Sequence, residues 1–469
     1  MILLLKILLP LLAFLSLFVF ASAPREKVEK RKWRTVGLVI LAITYLILLF
    51  DHQNQKRNSI RNAELHRIEG DRAYQSKNYD TAFRLYQNAA ELGDSEAQYN
   101  LGVMYQHGRG VTHNFLEAIK WYSKAAQQNH ANAQHNIGVM LVNSANSTKD
   151  NKKAIVWFRK SAEQDHAISQ FGLGVMYQYG NGVEKNYVEA VEWYKKAVSQ
   201  GLSMAECNLA FMYHNGLGVE KNDEKAMELL LKSAKKGYVQ AQHNLGAMFL
   251  KGHGVEIDYK EAFMWYKKAA QQGFADSQFD LGAMYENGQS VAQNHEEAIG
   301  WYTKAANQGH LKAANNLGIH YGHQNGTKKD AKEAMKWFTK AAKEGLIEAQ
   351  VNLGLFYKDN LYFKDDKKAT EWLSKASNQG NSTGKFNLGL MHINGLGLIK
   401  NEKKGMDLIL EAADQDDRNA QFIVGYFYET GQILEKNKSK ATEYYSKAAF
   451  YGQPEAKKAL DNLLNNLFE

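Results

Sequence analysis

The side chains best suited to chemistry are few and scattered along the chain. His320 and His323 lie three residues apart, a spacing that would place both imidazoles on one face of a helix and let them share a metal ion. No carboxylate or third histidine stands beside them at a matching spacing. Two solvent-facing histidines are therefore the simpler interpretation.

Cysteine chemistry is equally restricted. Cys207 is the single cysteine among 469 residues, so no internal disulfide can form. A lone thiol at a helix position is better explained as a small packed residue than as a nucleophile. The sequence also lacks a Ser-His-Asp order, a phosphate-binding loop and a zinc-type spacing. We therefore predict no catalytic residue, no cofactor and no metal site, and we expect that the protein is not an enzyme.

A block of 36 residues recurs ten times between Ala97 and Gly452, and only the eighth copy is one residue shorter. The elements formed by this block must position any functional side chain. Each copy begins at a small residue, which we number position 0. These anchors are Ala97, Ala133, Ser169, Ala205, Ala241, Ser277, Ala313, Ala349, Gly384 and Ala420. Position 5 is glycine in every copy except the fourth, which has Ala210. The missing side chain is expected to let two helices cross closely.

Other positions of the block predict a helix, a loop and a second helix. Position 24 is tryptophan in seven copies. We assign this column to the core because every copy needs the same large side chain to fill the same space between its helices. Position 32 holds only Gly, Asn or Asp, which tolerate a left-handed backbone and indicate a helix C-cap. Between the helices, most copies carry a glycine-containing turn such as HGRGV at residues 107–111.

These residues resemble the Sel1-like repeats, relatives of the tetratricopeptide repeat with a longer loop between the helices. The sequences AQYNLGVMYQHGRGV from Ala97 and EAIKWYSKAAQQN from Glu117 follow that pattern almost letter for letter. The resemblance implies an all-α fold, an α/α solenoid of about ten 36-residue helix-loop-helix repeats over residues 97–455. The loops of the second, seventh and eighth copies depart from the pattern, so their turn geometry is not predicted.

Both ends of the array are expected to be capped. Residues 64–96 resemble a shorter tetratricopeptide unit, which we expect to cover the N-terminal end of the stack. The amphipathic stretch 456–469 is expected to form a capping helix at the C-terminal end.

The first fifty residues predict one or two transmembrane helices. Residues 1–23 and 35–50 are almost entirely apolar, and they are separated by a basic linker, 24–34, and followed by a second linker, 51–63. The first apolar segment could instead be a cleaved secretion signal. Pro24 would then be the first mature residue, which disfavours cleavage, so we expect a transmembrane helix or an uncleaved signal anchor.

The charges predict the orientation in the membrane. Six of the ten residues 25–34 are basic, and positive charge stays on the cytoplasmic side. The basic linker is therefore expected in the cytoplasm, with the protein in the inner membrane and the repeats facing the periplasm. Lys56, Arg57 and Arg61 weaken this asymmetry. An exported soluble protein after signal cleavage remains the alternative location.

The net charge of +8 does not indicate nucleic-acid binding. Residues 1–63 hold ten Lys and Arg against three acids, which leaves 48 basic and 47 acidic residues in the rest of the chain. The array is almost neutral and lacks the basic excess that a nucleic-acid interface needs. We therefore predict no nucleic-acid partner.

The first helix of each copy predicts a concave partner groove. Aligned on the tetratricopeptide pattern, positions 2, 6, 9 and 10 should line it and form an apolar stripe, which usually marks a partner surface. The candidate partner-binding residues are Tyr99, His135, Phe171, Tyr179, Phe211, His243, Phe279, Phe386, Phe422 and Tyr426. The alternative is that these side chains form core between repeats. Asparagine at position 3, present in seven copies, is expected to hydrogen-bond the backbone between repeats.

The resemblance implies a function without catalysis: a membrane-anchored scaffold that binds a protein or peptide partner in the groove of a Sel1-like solenoid. A narrower alternative is a periplasmic immunity protein that inhibits a secreted, envelope-directed toxin, because bacterial Sel1-like proteins include such immunity partners. A third alternative, an enzyme acting on cell-wall or β-lactam substrates, follows from cysteine-rich relatives. The missing cysteines argue against it.

Overall fold

The computed structural model describes residues 14, 18, 27–144, 148–323 and 326–465, and throughout these ranges the regular structure is helical. The predicted all-α repeat architecture is confirmed. The chain divides into two compact units, residues 1–221 and 222–469, which we call unit 1 and unit 2. Much of the first apolar segment, 1–23, lies outside the described residues.

The helices of unit 1 are numbered in chain order. They are α1 (Lys27–Gln75), α2 (Tyr79–Glu91), α3 (Ser95–His107), α4 (Phe115–Gln127), α5 (Ala131–Ser144), α6 (Thr148–Ala162), α7 (Ala167–Tyr179), α8 (Tyr187–Ser199) and α9 (Ser203–Asn215).

The helices of unit 2 continue the numbering. They are α10 (Asp223–Lys235), α11 (Val239–Lys251), α12 (Tyr259–Gln271), α13 (Ala275–Asn287), α14 (His295–Asn307), α15 (Leu311–His323), α16 (Lys328–Lys343), α17 (Ile347–Asp359), α18 (Asp366–Asn378), α19 (Ser382–Asn394), α20 (Glu402–Ala413), α21 (Arg418–Thr430), α22 (Lys438–Phe450) and α23 (Pro454–Asn465).

From α3 onward, odd-numbered helices are the first and even-numbered helices the second of each repeat, with α23 last. Within each unit, every helix packs against the helices that precede and follow it. A single helix pair cannot bury its apolar stripe, so the core grows by stacking repeats.

Local sequence explains where the helices begin and end. Most second helices start after an Asn or Asp, such as Asn114, whose side chain accepts hydrogen bonds from the N–H groups of Leu116 and Glu117. The predicted C-cap at position 32 is confirmed, since Asn129, Asp165, Asp416 and the seven glycines there all have positive φ. In the eighth copy the loop differs, and Asn360 ends α17 with φ −74°. Residues 145–147 and 324–325, in the loops of the second and seventh copies, lie outside the described residues.

The glycine at position 5 faces a ring, or an aliphatic side chain, at position 25 of the second helix. A Cβ added at Gly102 would lie 2.7 Å from the Tyr122 ring, and one at Gly318 would lie 2.5 Å from the Phe338 ring. Tyr122 is completely buried, as are Tyr194, Tyr302 and Leu373 at the same position. The predicted close approach of two helices is therefore a backbone-to-side-chain contact that leaves no room for a methyl group.

Tryptophan at position 24 packs beside this contact. Trp121, Trp193, Trp265 and Trp337 are buried, as predicted for a core column. The other three members, Trp157, Trp301 and Trp372, are half-buried. The lysine three residues later covers the open side of the ring, with Lys124 Nζ 3.8 Å from the centre of the Trp121 ring. The lysine side chain therefore covers the outer side of the tryptophan ring.

The N-terminal helix α1 is longer than expected. Residues 51–63, expected to be a linker, are helical, and α1 runs without interruption from Lys27 to Gln75. Residues 51–63 contain neither proline nor glycine, so no residue in this part of α1 ends the helix. At its far end, Gly70 faces the buried Tyr86 of α2, which repeats the glycine-to-ring contact of the array.

The C-terminal helix α23 covers the last repeat. Its Ala456 and Leu463 are buried in one cluster with Ala441, Tyr445 and Ala448 of α22. This closes the apolar end of the stack within unit 2.

The glycine-to-ring contact predicts opposite effects for two substitutions in unit 2. Gly318→Ala pushes a methyl group into the Phe338 ring and should lower the free energy of unfolding by about 1–3 kcal/mol. Gly300→Ala, in α14, meets no atom within 4 Å and should raise it by about 0.5–1 kcal/mol because alanine favours the helix. Urea unfolding of the detergent-purified chain, followed by circular dichroism, measures both. Equal effects of the two alanines would contradict the contact.

Candidate partner-binding surface

Side chains at position 2 lie between helices more than on an open surface. The Tyr99 ring is half-buried, 5.7 Å from the Tyr122 ring of the paired helix and stacked on His130 at 4.8 Å. Phe279 has the same two contacts, with Tyr302 at 5.6 Å and His310 at 4.6 Å. The other half-buried members are His135, Phe171, His243 and Phe422, each beside the ring at position 25 of its own repeat.

Four members of the position 2 column are buried. Phe386 is only 9% exposed and packs in one cluster with Met406, Ile409 and Val424, so its predicted role in a groove is wrong. Cys207, Asn315 and Val351 are buried as well. The burial of Cys207 agrees with a packed thiol. Position 2 therefore contributes mainly to the packing of neighbouring repeats.

Positions 6 and 10 are more open to solvent. Tyr179 is 63% exposed at position 10, and Phe211 and Tyr426 are 47% and 37% exposed at position 6. Because position 6 lies four residues after position 2, it occupies the next turn of the same helix, beyond the ring at position 25. Binding of a partner by these three side chains stays a prediction.

An apolar pocket of about 400 Å³ lies in unit 1 between α3, α4 and α5. Its walls are Phe115 and Ile119 of α4 and Ile137, Val139, Met140 and Leu141 of α5, with the amides of Gln106, Asn136 and Asn143 at the edge. Val139, Gln106 and Asn143 occupy positions 6, 9 and 10. The structure therefore brings three predicted groove positions together, although none of the ten named candidate residues lines this pocket.

The amides at the pocket edge are held by a buried tyrosine. Tyr122 donates its hydroxyl proton to Gln106 Oε1 at 2.6 Å, and Asn136 of the next repeat bonds the same hydroxyl. Burial raises the pKa of Tyr122, so the hydroxyl stays protonated and remains a donor. Asn136 and Asn208 therefore bind the tyrosine hydroxyl of the preceding repeat, and they do not form the expected hydrogen bonds to the backbone between repeats. Asn352 and Asn387 differ, since they donate to Asn315 Oδ1 and to the carbonyl oxygen of Thr383.

The amides that do reach the backbone between repeats are glutamines at position 1, which the sequence analysis missed. Gln278 donates to the carbonyl oxygen of Ala270 at 3.1 Å, at the end of the preceding helix α12, and accepts from Gln308 at 2.8 Å. The same bond to the preceding helix recurs at Gln98, Gln134, Gln170, Gln242, Gln350 and Gln421. Glutamine recurring directly after the small residue at position 0 was the signal available in the sequence.

Of the two histidines considered for metal binding, the structure describes only the side chain of His320. His320 Nε2 lies 2.9 Å from Glu286 Oε1, and the His323 side chain lies outside the described residues. In the part of the chain that the structure describes, no group of three or more His, Cys, Asp and Glu side chains could hold a metal ion.

Two further cavities are more polar. Tyr99 lines one of about 430 Å³ in unit 1, together with Asp71, Tyr86 and Glu96. His243 and Phe279 line another of about 450 Å³ in unit 2. These three candidate residues therefore reach solvent at cavity walls while the rest of each ring is packed.

Comparison with known families identifies the repeats. The Sel1 repeat model matches eleven consecutive segments that together span residues 69–449. The chain belongs to the Sel1 repeat family. The first matched segment, 69–94, falls within the unit expected to be a tetratricopeptide-like cap, and the glycine-to-ring contact of Gly70 agrees with a Sel1 repeat there.

Two solved structures are similar to this chain. A protective antigen present in uropathogenic Escherichia coli strains, which displays an SLR fold, is 32% identical, with a TM-score of 0.71 over 89% of this chain and 90% of that chain. A Sel1 repeat protein from Oxalobacter formigenes is also 32% identical, covering 51% of this chain and 96% of that one with a TM-score of 0.49.

One match to a curated protein is much shorter. Over 48 residues, this chain is 46% identical to the ERAD-associated E3 ubiquitin-protein ligase component HRD3 of Candida glabrata. The matched stretch is 10% of this chain and 6% of that protein.

Among the described residues, one helix is long and apolar enough to cross a membrane. The segment Thr35–Gln75 of α1 has a mean hydropathy of 2.0 in its most apolar window, and 11% of that window is buried. Length and composition alone establish this, and a signal sequence near the N-terminus has the same properties.

The half-buried His135, at position 2 of the second copy, predicts an acid-sensitive fold. Burial, with a smaller effect of His166, lowers the pKa of His135 to about 4. The unfolded chain therefore binds more protons than the folded chain between about pH 6.5 and pH 4, and stability falls as the pH falls through this window.

His135→Phe should remove part of this loss of stability, because phenylalanine does not titrate. Phenylalanine also fits position 2, since Phe171 and Phe422 occupy this position in other copies. We expect the difference in Tm between pH 7.5 and pH 5 to be smaller in this variant than in the natural protein. The exposed His107→Gln serves as the control and should leave the difference unchanged. An unchanged difference in the His135 variant would contradict the assignment.

Proposed function

We propose that this Sel1 repeat protein is a non-enzymatic scaffold that binds a protein partner, and that the apolar pocket of unit 1 anchors one apolar side chain of that partner. The observation that carries the proposal is the pocket itself. It has walls of aliphatic and aromatic side chains, and a few amides at its edge.

The surroundings of the pocket support an extended peptide as the ligand. Phe115, Leu116 and Val142 are exposed near it, so apolar surface continues beyond the pocket edge. An exposed apolar surface of this kind usually contacts a partner. The Nε2 of Gln106 and the side chain of Asn143 can hydrogen-bond the backbone of a bound peptide. The pocket would then accept a side chain of the peptide that lies between these two hydrogen bonds.

The second part of the proposal concerns location. We infer that the apolar part of α1 anchors the chain in the inner membrane, with the basic residues 25–34 in the cytoplasm and the repeats in the periplasm. Since α1 continues as one helix into the first repeat, the anchor and the array are joined without an irregular linker. A partner would then be met close to the membrane surface.

The pocket predicts how two aspartate substitutions differ. Ile119→Asp places a carboxylate in the apolar wall, and desolvation of this charge on binding should reduce partner capture at least about tenfold. Val188→Asp, on an exposed side chain of α8, should leave capture unchanged. Cross-linked capture of the full-length protein from native membranes, with quantitative mass spectrometry, measures both variants.

Equal capture by the two variants would show that the pocket is not the anchor. A partner that depends on Ile119 and proves to be a secreted, envelope-directed toxin would support the immunity-protein alternative. A different partner with the same dependence would leave the general scaffold as the function.

The orientation can be tested with one introduced cysteine. Cys207 is buried and should not react with a maleimide in the folded protein, whereas Ser446→Cys places a thiol on an exposed face of α22. We expect a membrane-impermeant maleimide to label this variant in intact cells and to leave the natural protein unlabelled. Labelling only after cell lysis would place the repeats in the cytoplasm.

A further inference from the structure

Asp280 departs from the pattern of its column. Position 3 is asparagine in seven of the ten copies, and Asp280 is the one acidic residue there. Where asparagine is present, its amide can donate to the tyrosine hydroxyl of the preceding repeat, as Asn208 does to Tyr194 at 3.2 Å. An ionised carboxylate has no proton to donate. A residue that gives up a recurring structural bond in one copy is a candidate for a role that only one copy performs.

Asp280 lies in the polar cavity of about 450 Å³ in unit 2. Asp276 stands one turn earlier on α13 and lines the same cavity, so two carboxylates share one face of this helix. His243 of α11 forms one side, and His310 and Lys312, the latter on α15, form the other. The Phe279 ring, stacked on His310 at 4.6 Å and 22°, supplies an aromatic wall.

The groups that face Asp280 leave its charge poorly compensated. Burial, and then repulsion from Asp276, raise the pKa of Asp280 to about 7, against the smaller opposing effects of Lys251 and Lys312. Among the described residues, no lysine or arginine forms an ion pair with Asp280, whose nearest basic atom is His243 Nδ1 at 3.6 Å.

The remaining titratable groups around the cavity are neutral near pH 7. Burial lowers the pKa values of His243 and His310, and burial raises the pKa of Tyr266 on the adjacent helix α12. The cavity therefore holds two carboxylates, the ammonium of Lys312 and an aromatic wall, and no basic side chain forms an ion pair with Asp280 among the described residues except the neutral His243 contact. A cation that entered the cavity beside both carboxylates would relieve the repulsion between Asp276 and Asp280.

We propose that this cavity binds a basic side chain, lysine or arginine, of the protein partner. The proposal rests on the scaffold function and adds a second, charged contact to the apolar anchor. A side-chain cation suits the cavity better than a metal ion, because no three His, Cys, Asp or Glu side chains among the described residues are arranged so that they could hold one metal ion. An ammonium or guanidinium group can pair with both carboxylates and lie against the aromatic wall.

The test uses the full-length protein in detergent and three small probes. Nα-acetyl-arginine amide and Nα-acetyl-lysine amide carry the charge, and Nα-acetyl-citrulline amide is the neutral isostere of the first. Methyl NMR signals of Leu311 and Leu346, which line the cavity, report binding. We expect both charged probes to shift these signals and the citrulline probe to leave them in place.

Substitutions of the two carboxylates give the sharper result. Asp280→Asn and Asp276→Asn should each weaken binding of the arginine probe at least about tenfold. Because Asp280→Asn restores the amide of the column, it should also raise the Tm. Binding to the natural protein should weaken about tenfold between pH 8 and pH 6, as Asp280 takes up its proton.

Three outcomes would overturn the inference: equal shifts by the citrulline probe, no shift by either charged probe, or undiminished binding by both variants. The scaffold function is tested separately through Ile119. Partner capture that depends on Ile119 and is unchanged by Asp280→Asn would keep that function and reject the basic side chain as its second contact.

Discussion

The contact between a helix glycine and the residue at position 25 of the paired helix determines how closely the two helices of each repeat approach. Tyr122 and Tyr302 are completely buried because Gly102 and Gly282 leave space for their rings against the backbone of the first helix. A ring of this size removes a large apolar area from water, and its hydroxyl still finds a partner at the edge of the core. Other side chains of the repeat pack around this pair.

A second constraint arises from the ends of the helices. The last carbonyl groups of each second helix have no hydrogen-bond donor within the helix. When these carbonyl groups are buried, water cannot supply the missing donor. The buried glutamine at position 1 of the following repeat bonds one of these carbonyls, as Gln278 bonds Ala270. The amide therefore joins consecutive repeats by hydrogen bonds, while the tryptophan and alanine columns join them by apolar packing. Both interactions recur because each repeat must bury the same end of the same helix.

Recurrence separates structural residues from functional ones in such a chain. The ring at position 25 and the glutamine at position 1 return in seven of the ten copies, and the left-handed residue at position 32 returns in all of them. The unit 1 pocket and the acidic cavity in unit 2 each occur where individual copies differ, at the residues around Met140 and at Asp280. A partner that binds at one place on the array requires a surface that is not repeated. The unit 1 pocket and the unit 2 cavity therefore fit a partner-binding role better than the recurring positions do.

Much of the architecture was predictable from the sequence. The 36-residue period, the glycine at position 5 and the Gly, Asn or Asp at position 32 predicted helix pairs, their close crossing and their C-caps, because each depends on local backbone geometry. The candidate site was harder to predict. Phe386 and Phe211 are both phenylalanines on first helices, yet one is buried and the other is exposed, because they face different neighbours.

The sequence by itself determined the family, the helical repeat, the apolar N-terminal segments and the almost neutral net charge of residues 64–469. Each of these depends on composition or on spacing along the chain. Only the tertiary structure decided which glutamine reaches the preceding helix, which aromatic rings remain open, and that Asp276 and Asp280 share a cavity with His243. The reason is physical: burial and charge compensation depend on side chains about 36 residues away, which stacking brings into contact and local sequence does not specify.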